Sequence, residues 1–387
     1  MDISAFTQPA GHLIRTPQGY DAFVPAPLPR DVAFTPKLSS LLSRADRNLG
    51  ELMGMARMLP NQQLLIAPLT QREAVLSSQI EGTQASVADL AIFEAAGEGA
   101  IALPPDVREV RNYRRALNYG IERLKTLPLS LRFVRELHGQ LFRDVLTQDK
   151  TPGEFRTSQN WIGAPGCQLD DATYVPPPAH ELMSCLSDWE SFLHEENPLP
   201  TLVKSALLQY QFEAIHPFLD GNGRVGRLFL IVYLLAEQYV STPILYLSPF
   251  FGRHRDHYYS ALRGITERSN WQEWLEFFIR AVTVQSRDGL KRAENLLGLQ
   301  QKYRTALDKA PRSVARLVDI LFSTPGITVG HAAQQLGVTW VTANTAVNVL
   351  CEHGILEEVT GQRRDRIFLA REIIDTINQE IEESILL

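Results

Sequence analysis

Apolar residues recur every three to four positions through most of the chain, which predicts a mainly helical protein. The first helical pattern follows a proline-rich stretch that ends near Pro36, and it runs from Leu38 to about Phe93. The proline-rich stretch has little periodicity, so we expect it to form an extended arm that lies over another part of the molecule. Further helical patterns cover residues 107–125, 131–146, 180–195 and 277–304.

One segment in the middle of the chain alternates in part between apolar and polar residues. Glu154–Ile162 is followed by Gly-Ala-Pro-Gly at 163–166 and then by a second short arm, Ala172–Val175. Three prolines at 176–178 prevent this arm from continuing, because proline cannot donate to a strand ladder. The pattern predicts a small β-hairpin within a helical core.

The region after Pro311 changes character. Three short helical patterns cover 314–322, 331–336 and 339–351, and the arms 355–359 and 366–369 then flank a polar loop. This order resembles a winged helix-turn-helix domain. Its predicted recognition helix, 339–345, has hydrogen-bonding side chains but neither arginine nor lysine. Tight DNA binding is therefore disfavoured, and a contact with protein and a contact with DNA both stay open.

Composition excludes several classes of protein. The chain has 387 residues, of which 44% are hydrophobic and 21% charged, so disorder and fibrous structure are excluded. A net charge of -6 argues against wholesale coating of nucleic acid. Its three cysteines are far apart and predict neither disulfides nor a zinc site. No segment resembles a signal peptide or a membrane span, so we expect a cytoplasmic protein without a membrane partner.

The most informative segment is HPFLDGNGRVGR, residues 216–227. Helical patterns before and after it predict a helix, a glycine-rich loop and a second helix. Gly221, Gly223 and Gly226 also spell GxGxxG, but a dinucleotide-binding turn needs a strand before the loop, where this chain has a helix. The sequence also contains no GxxxxGK(S/T), so a P-loop is excluded.

Several residues of this segment are of the types that bind phosphate. The first amides of the second helix have no helical partner and carry the positive end of its dipole. Gly221 and Gly223 let the backbone approach a ligand, and Asn222 can donate to a non-bridging oxygen. Arg224 and Arg227 are three residues apart and can hold a phosphate tail with their forked donors.

His216 and Asp220 add reactive groups to the same loop. Mg²⁺ prefers one or two carboxylates together with substrate phosphates, so Asp220 is the predicted metal ligand. His216, four residues earlier, is a candidate general base for an attacking hydroxyl. The segment therefore predicts the active site of a nucleotide-transferring enzyme.

The segment resembles the signature HxFx(D/E)GNGRxxR of the Fic family of protein adenylyltransferases, and every fixed position matches. The resemblance implies that ATP and Mg²⁺ are used, that His216 deprotonates a hydroxyl of a target protein, and that Asp220 binds the metal. AMP would move to a Tyr, Ser or Thr side chain and pyrophosphate would leave. The predicted ATP-binding residues are Gly221, Asn222, Gly223, Arg224, Gly226 and Arg227, with Arg227 at the terminal phosphate.

The predicted β-hairpin resembles the flap that covers the nucleotide in this family and aligns the target segment. The resemblance implies that Ile162, Gly163 and Ala164 lie beside the adenine. Tyr258 and Tyr259 match an aromatic pair that contacts the nucleotide in some relatives. An asparagine that follows this pair in some members is not matched, because Thr266 stands at that spacing.

Upstream, residues 77–82 read SSQIEG and match the family's inhibitory pattern (S/T)xxxE(G/N) at Ser77, Glu81 and Gly82. The residues themselves predict a helix from about Thr70 that stops at Gly82, since glycine favours the left-handed conformation at helix ends. A carboxylate on the last turn is disfavoured by the helix dipole and needs a cation. The resemblance implies that this cation is Arg227 and that Glu81 occupies the place of the terminal phosphate.

Together these patterns predict a mainly α fold: a helical Fic core with a β-hairpin flap and a C-terminal winged helix-turn-helix domain. The predicted domains are an N-terminal arm with the inhibitory helical region (1–100), the catalytic core (101–285), a linker helix (286–310) and the winged helix domain (311–387). The leading hypothesis is an autoinhibited protein adenylyltransferase. Removal of AMP in the same pocket and a nucleotide-sensing DNA-binding regulator are the alternatives, and a homo-oligomer stays open.

Overall fold

The computed structural model describes residues 1–59, 61–97, 104–145, 150–362 and 364–383. Within them the chain is mainly helical with two small antiparallel sheets. No helix among these residues is long and apolar enough to cross a membrane. The helices are α1 Pro36–Met58, α2 Gln63–Ile80, α3 Val87–Ala96, α4 Pro105–Arg123, α5 Leu131–Leu141, α6 Leu182–His194, α7 Thr201–Ile215, α8 Asn222–Ala236, α9 Ser248–Arg253, α10 Arg255–Arg268, α11 Trp271–Ala306, α12 Arg312–Ser323, α13 Val329–Leu336, α14 Trp340–Glu352 and α15 Arg371–Asn378.

The strands are short. They are β1 Gly11–Arg15, β2 Asp21–Pro25, β3 Gly326–Thr328, β4 Glu357–Glu358 and β5 Ile367–Leu369. β1 pairs with β2, and β5 lies between β3 and β4 in the second sheet. The described residues divide into two compact units. Unit 1 comprises 1–47, 115–241 and 247–283. Unit 2 comprises 48–114, 242–246 and 284–387.

The N-terminal arm differs from its prediction. Residues 11–25 form a hairpin in which Gly11 pairs with Pro25 and Arg15 with Asp21. β2 packs against α7 and the Phe23 amide donates to Val175 O at 2.9 Å, so the arm does lie over unit 1. The available signal was a short apolar run on each side of the Thr-Pro-Gln-Gly turn at 16–19, Leu13 and Ile14 before it and Ala22 to Val24 after it, which the high proline content of the arm obscured.

The core of unit 1 is built around α7 and α8. Both helices are buried on nearly all sides, which explains why their sequences are apolar all round instead of amphipathic. Two indoles fix α7 in place, because Trp189 Nε1 donates to Leu208 O at 3.0 Å and Trp274 Nε1 donates to Ala206 O at 2.8 Å. The loop between these two helices is therefore held by rigid elements on both sides.

Unit 2 contains α2, α3 and the C-terminal segment. α2 begins at Gln63 instead of near Thr70, and Pro68 lies inside it. α12 packs against α2, and Gln71 Nε2 donates to Ser323 O at 3.0 Å. β3 packs so closely on α3 that a Cβ at Gly326 would lie 2.3 Å from Ala91 O. The segment from α12 onward is therefore packed onto α2 and α3.

A buried ionic network joins three helices of unit 2. Asp288 on α11 accepts from Arg72 on α2 at 3.0 Å and from Arg292 Nε at 2.7 Å. Arg292 has no exposed surface and also donates to Ile377 O and Gln379 O, at 2.8 and 2.7 Å, at the end of α15. Burial of these charges is tolerated because each guanidinium has a carboxylate partner.

Candidate active site

His216 ends α7 in a left-handed conformation, with φ 48° and ψ 62°. Such a backbone costs a non-glycine residue roughly 1–2 kcal/mol. A following proline also disfavours helical conformations of the residue before it. Nδ1 of the ring lies 3.3 Å from Glu213 O, and because a carbonyl can only accept, Nδ1 carries the hydrogen. Nε2 is then the basic nitrogen of the ring.

Two residues of the predicted β-hairpin, Arg156 and Asn160, bind the backbone of the signature loop, residues 216–221, which joins α7 to α8. Arg156 Nε donates to His216 O at 2.9 Å, and the Arg156 amide donates to Pro217 O at 2.9 Å. Asn160 Nδ2 donates to His216 O at 3.2 Å and to Phe218 O at 2.8 Å. Sequence analysis missed both residues, since they lie about 60 positions before the loop.

Asp220 is surrounded by donors. Lys150 Nζ binds one carboxylate oxygen, and the Gly221 amide donates to the other at 2.6 Å. Arg224 Nη2 lies 3.5 Å from that second oxygen. Burial raises the pKa of Asp220, but Lys150, Arg224 and the Gly221 amide outweigh burial and hold the pKa below its usual value. Asp220 is therefore a charged carboxylate at neutral pH.

The residues present fit a single Mg²⁺ ion shared with a nucleotide. The side chain of Asp220 is 36% exposed, so a cation can reach it from solvent. Among the residues that the structure describes, no group of three or more His, Cys, Asp or Glu side chains forms a metal cage. One accessible carboxylate beside the amino end of a helix matches the preference of Mg²⁺ for few protein ligands.

The second helix begins immediately after Gly221. Gly221 has φ 79°, and a Cβ there would lie 2.8 Å from the ring of Phe142, so both conformation and space require glycine. Asn222 closes the loop, since its Oδ1 accepts from the Phe218 amide and its Nδ2 donates to Phe218 O, both at 2.8 Å. The second hydrogen on Nδ2 keeps the predicted contact with a phosphate compatible with this role.

A buried histidine on α5 supports the loop from the opposite side. His138 is stacked on Phe218 with ring centroids 3.9 Å apart, accepts from the Gly153 amide at Nδ1 and donates from Nε2 to Asp220 O at 3.1 Å. Burial lowers the pKa of His138 to about 4, so the ring is neutral. Sequence analysis missed His138, because a histidine on the apolar face of a helix does not by itself indicate which loop it contacts.

Three predicted ATP-binding residues are buried on α8: Arg224, Gly226 and Arg227. A Cβ at Gly226 would lie 3.1 Å from Gln209 Nε2 and 3.2 Å from Glu213 Oε1, so close packing on α7 explains this glycine. Arg224 lies over the ring of Phe142 at 5.5 Å. Arg227 is 2% exposed, and its charge acts on the nearby Tyr258 hydroxyl.

The two predicted tyrosines have different environments. Tyr258 is buried against Phe251 and Trp274, and its hydroxyl lies 3.4 Å from Glu213 Oε1. Tyr259 is 37% exposed, and the Arg255 guanidinium lies 5.7 Å from its ring centre. Tyr258 therefore packs in the core of unit 1, and of this pair Tyr259 alone presents a ring to solvent.

The predicted β-hairpin is much shorter than expected. Its two arms form a single antiparallel bridge between Ile162 and Tyr174 instead of a ladder along 154–162. The physical reason is that the other backbone groups have partners elsewhere, as the Arg156 amide binds Pro217 O and Val175 O accepts from Phe23. Tyr174 connects this flap to α7, because its hydroxyl donates to Ala214 O at 2.6 Å.

Gly163 and Ala164 follow the bridge at the tip of the flap. A Cβ at Gly163 would lie 2.5 Å from Cys167 Sγ, so this position is crowded. The Cys167 amide donates to Ala164 O at 3.0 Å and closes the tip. Ile162 itself is 37% exposed and stays accessible to a ligand.

The predicted inhibitory residues lie at the end of α2 in unit 2. Ser77 is fully buried within the helix, Glu81 is its C-cap and is exposed, and Gly82 follows with φ 108°. The Gly82 amide donates to Gln79 O at 3.0 Å, which ends the helix as the glycine predicted.

The fold and the loop define a class: a mainly helical protein whose signature segment joins two core helices through a histidine in the left-handed conformation. Comparison with known families identifies it further. Residues 39–122 match the Fic/DOC family N-terminal domain and residues 128–234 match the Fic/DOC family domain. The chain therefore contains the N-terminal domain and the Fic domain of the Fic/DOC family.

Its relatives carry consistent names. A protein of Aquifex aeolicus (strain VF5), named as a probable protein adenylyltransferase, is 33% identical over 96 residues, 25% of this chain and 28% of that protein. The protein adenylyltransferase Fic of Drosophila grimshawi is 31% identical over 118 residues, 30% of this chain and 22% of that protein. The chain thus spans less than a third of the length of either relative.

Among solved structures, a Fic family protein from Desulfovibrio desulfuricans G20 has a TM-score of 0.58 at 20% identity. The match covers 88% of this chain and 97% of that one. This likeness shows that the two proteins have the same fold, and it extends well beyond the two matched family domains.

Proposed function

We propose that the protein is a Mg²⁺-dependent protein adenylyltransferase that transfers AMP from ATP to a hydroxyl side chain of a target protein. The observation that carries the proposal is the geometry of the signature loop. It places a histidine with a defined tautomer, a charged accessible carboxylate and the amino end of a buried helix within seven residues, His216–Asn222. The names of the relatives support ATP as the donor.

In the proposed reaction, the target hydroxyl oxygen bonds to the α-phosphorus of ATP while the bond from that phosphorus to its bridging oxygen breaks. Nε2 of His216 accepts the hydroxyl proton, and pyrophosphate leaves. The amides at the start of α8 and the Arg227 guanidinium hold the phosphate charge. Asp220 would hold Mg²⁺, which when bound neutralises charge on the phosphates.

The test is incubation with each of the four labelled nucleoside triphosphates and a cell lysate, followed by mass spectrometry of the labelled proteins. We expect transfer from ATP, its loss on addition of EDTA, and a decrease of about 10²–10⁴-fold in His216→Ala. Equal labelling by wild type and His216→Ala would refute the proposal. Labelling from another triphosphate would retain the enzyme class and change the donor.

Autoinhibition by Ser77–Gly82 is part of the proposed function. The support is the position of Glu81 as the C-cap of α2, where the helix dipole disfavours a carboxylate and favours a cation as its partner. A lock of about 3 kcal/mol leaves about one percent of the protein competent. Glu81→Gly should therefore raise transfer by about 100-fold. Glu51→Gln, which removes a charge on α1, is the control and should leave the transfer rate unchanged. A transfer rate of Glu81→Gly equal to that of wild type contradicts the lock.

The C-terminal segment is proposed to be a winged helix that contacts protein instead of duplex DNA. Residues 311–387 contain six arginines and no lysine against ten acidic residues, a poor balance for binding phosphate. The start of α14 has Trp340 and Val341 exposed at 58% and 70%, and tryptophan is enriched at protein interfaces. Filter binding to duplex DNA across a salt series tests this, since affinity that falls steeply with salt would contradict it.

A further inference from the structure

We propose that Arg156 is a positioning residue for His216, acting on the backbone of the histidine and not on the substrate. The inference rests on the proposed role of His216 as general base. It concerns a side chain 60 positions away in sequence that does not belong to the signature segment. Asn160 assists it from the same stretch of chain.

The backbone of His216 needs an external restraint. Its φ of 48° lies in the left-handed region, and the residue that follows is Pro217, which has no amide hydrogen to satisfy the end of α7. Neither feature favours this conformation, so contacts from elsewhere in the fold must hold it.

Arg156 supplies these contacts to a run of consecutive carbonyls. Its Nε donates to His216 O at 2.9 Å, its Nη2 lies 3.4 Å from Ile215 O, and its amide donates to Pro217 O at 2.9 Å. Asn160 Nδ2 then binds His216 O and Phe218 O. The four carbonyls 215–218 are all held by two side chains and one amide of the flap.

The remaining donors of Arg156 fix the guanidinium itself. Nη2 donates to Pro177 O at 2.6 Å and Nη1 donates to Ser158 O at 3.2 Å. Arg156 is 2% exposed, and among the described residues no carboxylate lies within salt-bridge distance of it. A buried charge without a counter-ion is costly, so the carbonyls and the negative end of the α7 dipole must stabilise it.

The consequence for catalysis follows from the ring geometry. The bond from Nδ1 to Glu213 O exists only while the His216 backbone stays in its left-handed conformation, because that backbone directs the ring over the last turn of α7. Without the restraint the chain relaxes toward an extended conformation, which turns the ring away. A displacement of about 1 Å at a reacting group lowers the rate by roughly 100-fold.

The test uses Arg156→Lys and Asn160→Ala in the 387-residue chain that carries Glu81→Gly. Lysine keeps the charge but cannot span two carbonyls, so we expect kcat to fall about 10–100-fold while the Kd for ATP stays within about twofold. Lys204→Met is the control, since this partly buried amine also donates to carbonyls at a helix end, Leu193 O and Glu195 O, away from the loop. We expect Lys204→Met to retain kcat.

A second measurement separates this inference from the proposed function. ¹⁵N spectra of the His216 ring, assigned with His216→Ala, report its tautomer, and we expect the Nδ1-protonated form in the parent and a mixture in Arg156→Lys. An unchanged spectrum together with an unchanged kcat overturns the inference. If the parent transfers no nucleotide but Arg156→Lys alters the spectrum, the positioning role of Arg156 is retained and the adenylyltransferase activity is refuted.

Discussion

Arg156 in unit 1 and Arg292 in unit 2 are both buried and both bind backbone carbonyls, but they differ in whether a carboxylate binds them as well. In unit 2, Arg292 makes a bidentate contact with Asp288, at 2.7 and 2.9 Å, before it binds carbonyls at the end of α15. In unit 1, Arg156 has no such carboxylate among the described residues and binds carbonyls alone. Burial lowers the pKa of Arg156 to about 10, so it stays charged at neutral pH.

The two arginines therefore have different roles. Arg292 joins secondary-structure elements, whereas Arg156 holds the backbone of the candidate active site. A paired buried arginine can tie α2, α11 and α15 together, because its charge is compensated inside the network. An arginine without a carboxylate leaves all its donors for the backbone, and in unit 1 that backbone carries His216. We therefore expect substitutions of Arg292 and its carboxylate partner to change mainly stability and substitutions of Arg156 to change mainly the rate.

The largest expected effect is on the unit 2 network. Asp288→Asn keeps the size of the side chain but removes the negative charge that the buried guanidinium groups of Arg72 and Arg292 share. The expected loss of unfolding free energy is about 3–5 kcal/mol, measured by urea denaturation.

The matched control lies on the same helix at the surface. Lys291 and Glu294 form an exposed pair at 3.1 Å, so Glu294→Gln should cost at most about 0.5 kcal/mol. If Asp288→Asn costs no more than Glu294→Gln, the network does not tie the three helices together and the comparison between the units fails.

A second test applies one substitution to a helix of each unit. Gly226→Ala puts a Cβ 3.1–3.2 Å from three atoms of α7, so we expect a loss of about 1–3 kcal/mol from overpacking. Gly298→Ala, on α11 with no atom within 4 Å, should instead stabilise by about 0.5–1 kcal/mol. Thermal unfolding of both variants checks the opposite signs, and a Gly226→Ala variant as stable as wild type would mean that α7 and α8 separate easily.

The signature loop could be predicted from sequence because its chemistry is contiguous. His216, Asp220 and Arg227 lie within twelve residues, and the helices on either side have a clear period. The helix predicted before the loop and the helix predicted after it are both observed, as α7 and α8. The helical patterns at 314–322, 331–336 and 339–351 correspond within two residues to α12, α13 and α14, whereas α15 was not predicted.

The supports of the loop could not be predicted, because only the fold brings them close. His138 is 82 residues from Asp220, and Arg156 is 60 residues from His216. The length of the β-hairpin was over-predicted for a related reason. Alternation indicates which residues can pair as strands, but it does not reveal that the backbone of Arg156 is already bonded to Pro217.

A third arginine provides the smallest and sharpest test of the comparison, since it belongs to unit 1 but has a carboxylate partner. Arg123 on α4 binds Glu136 on α5, which also accepts from Tyr119 at 2.7 Å and from Arg132 at 2.9 Å. The Arg123 hydrogen bond is the main cause that lowers the pKa of Glu136 from 4.5 to about 2.

The sign of the pH dependence follows from this shift. A carboxyl group with a lowered pKa binds its proton more weakly in the folded state, so its contribution is complete above pH 4.5 and is lost as the pH falls toward about 2. Glu136→Gln should therefore be less stable than wild type at pH 7, and the difference should vanish in that acidic window. Both side chains are about a quarter exposed, so the effect should be smaller than that of Asp288→Asn. If Glu136→Gln also lowers kcat while leaving stability unchanged, then a carboxylate partner does not separate structural arginines from positioning ones.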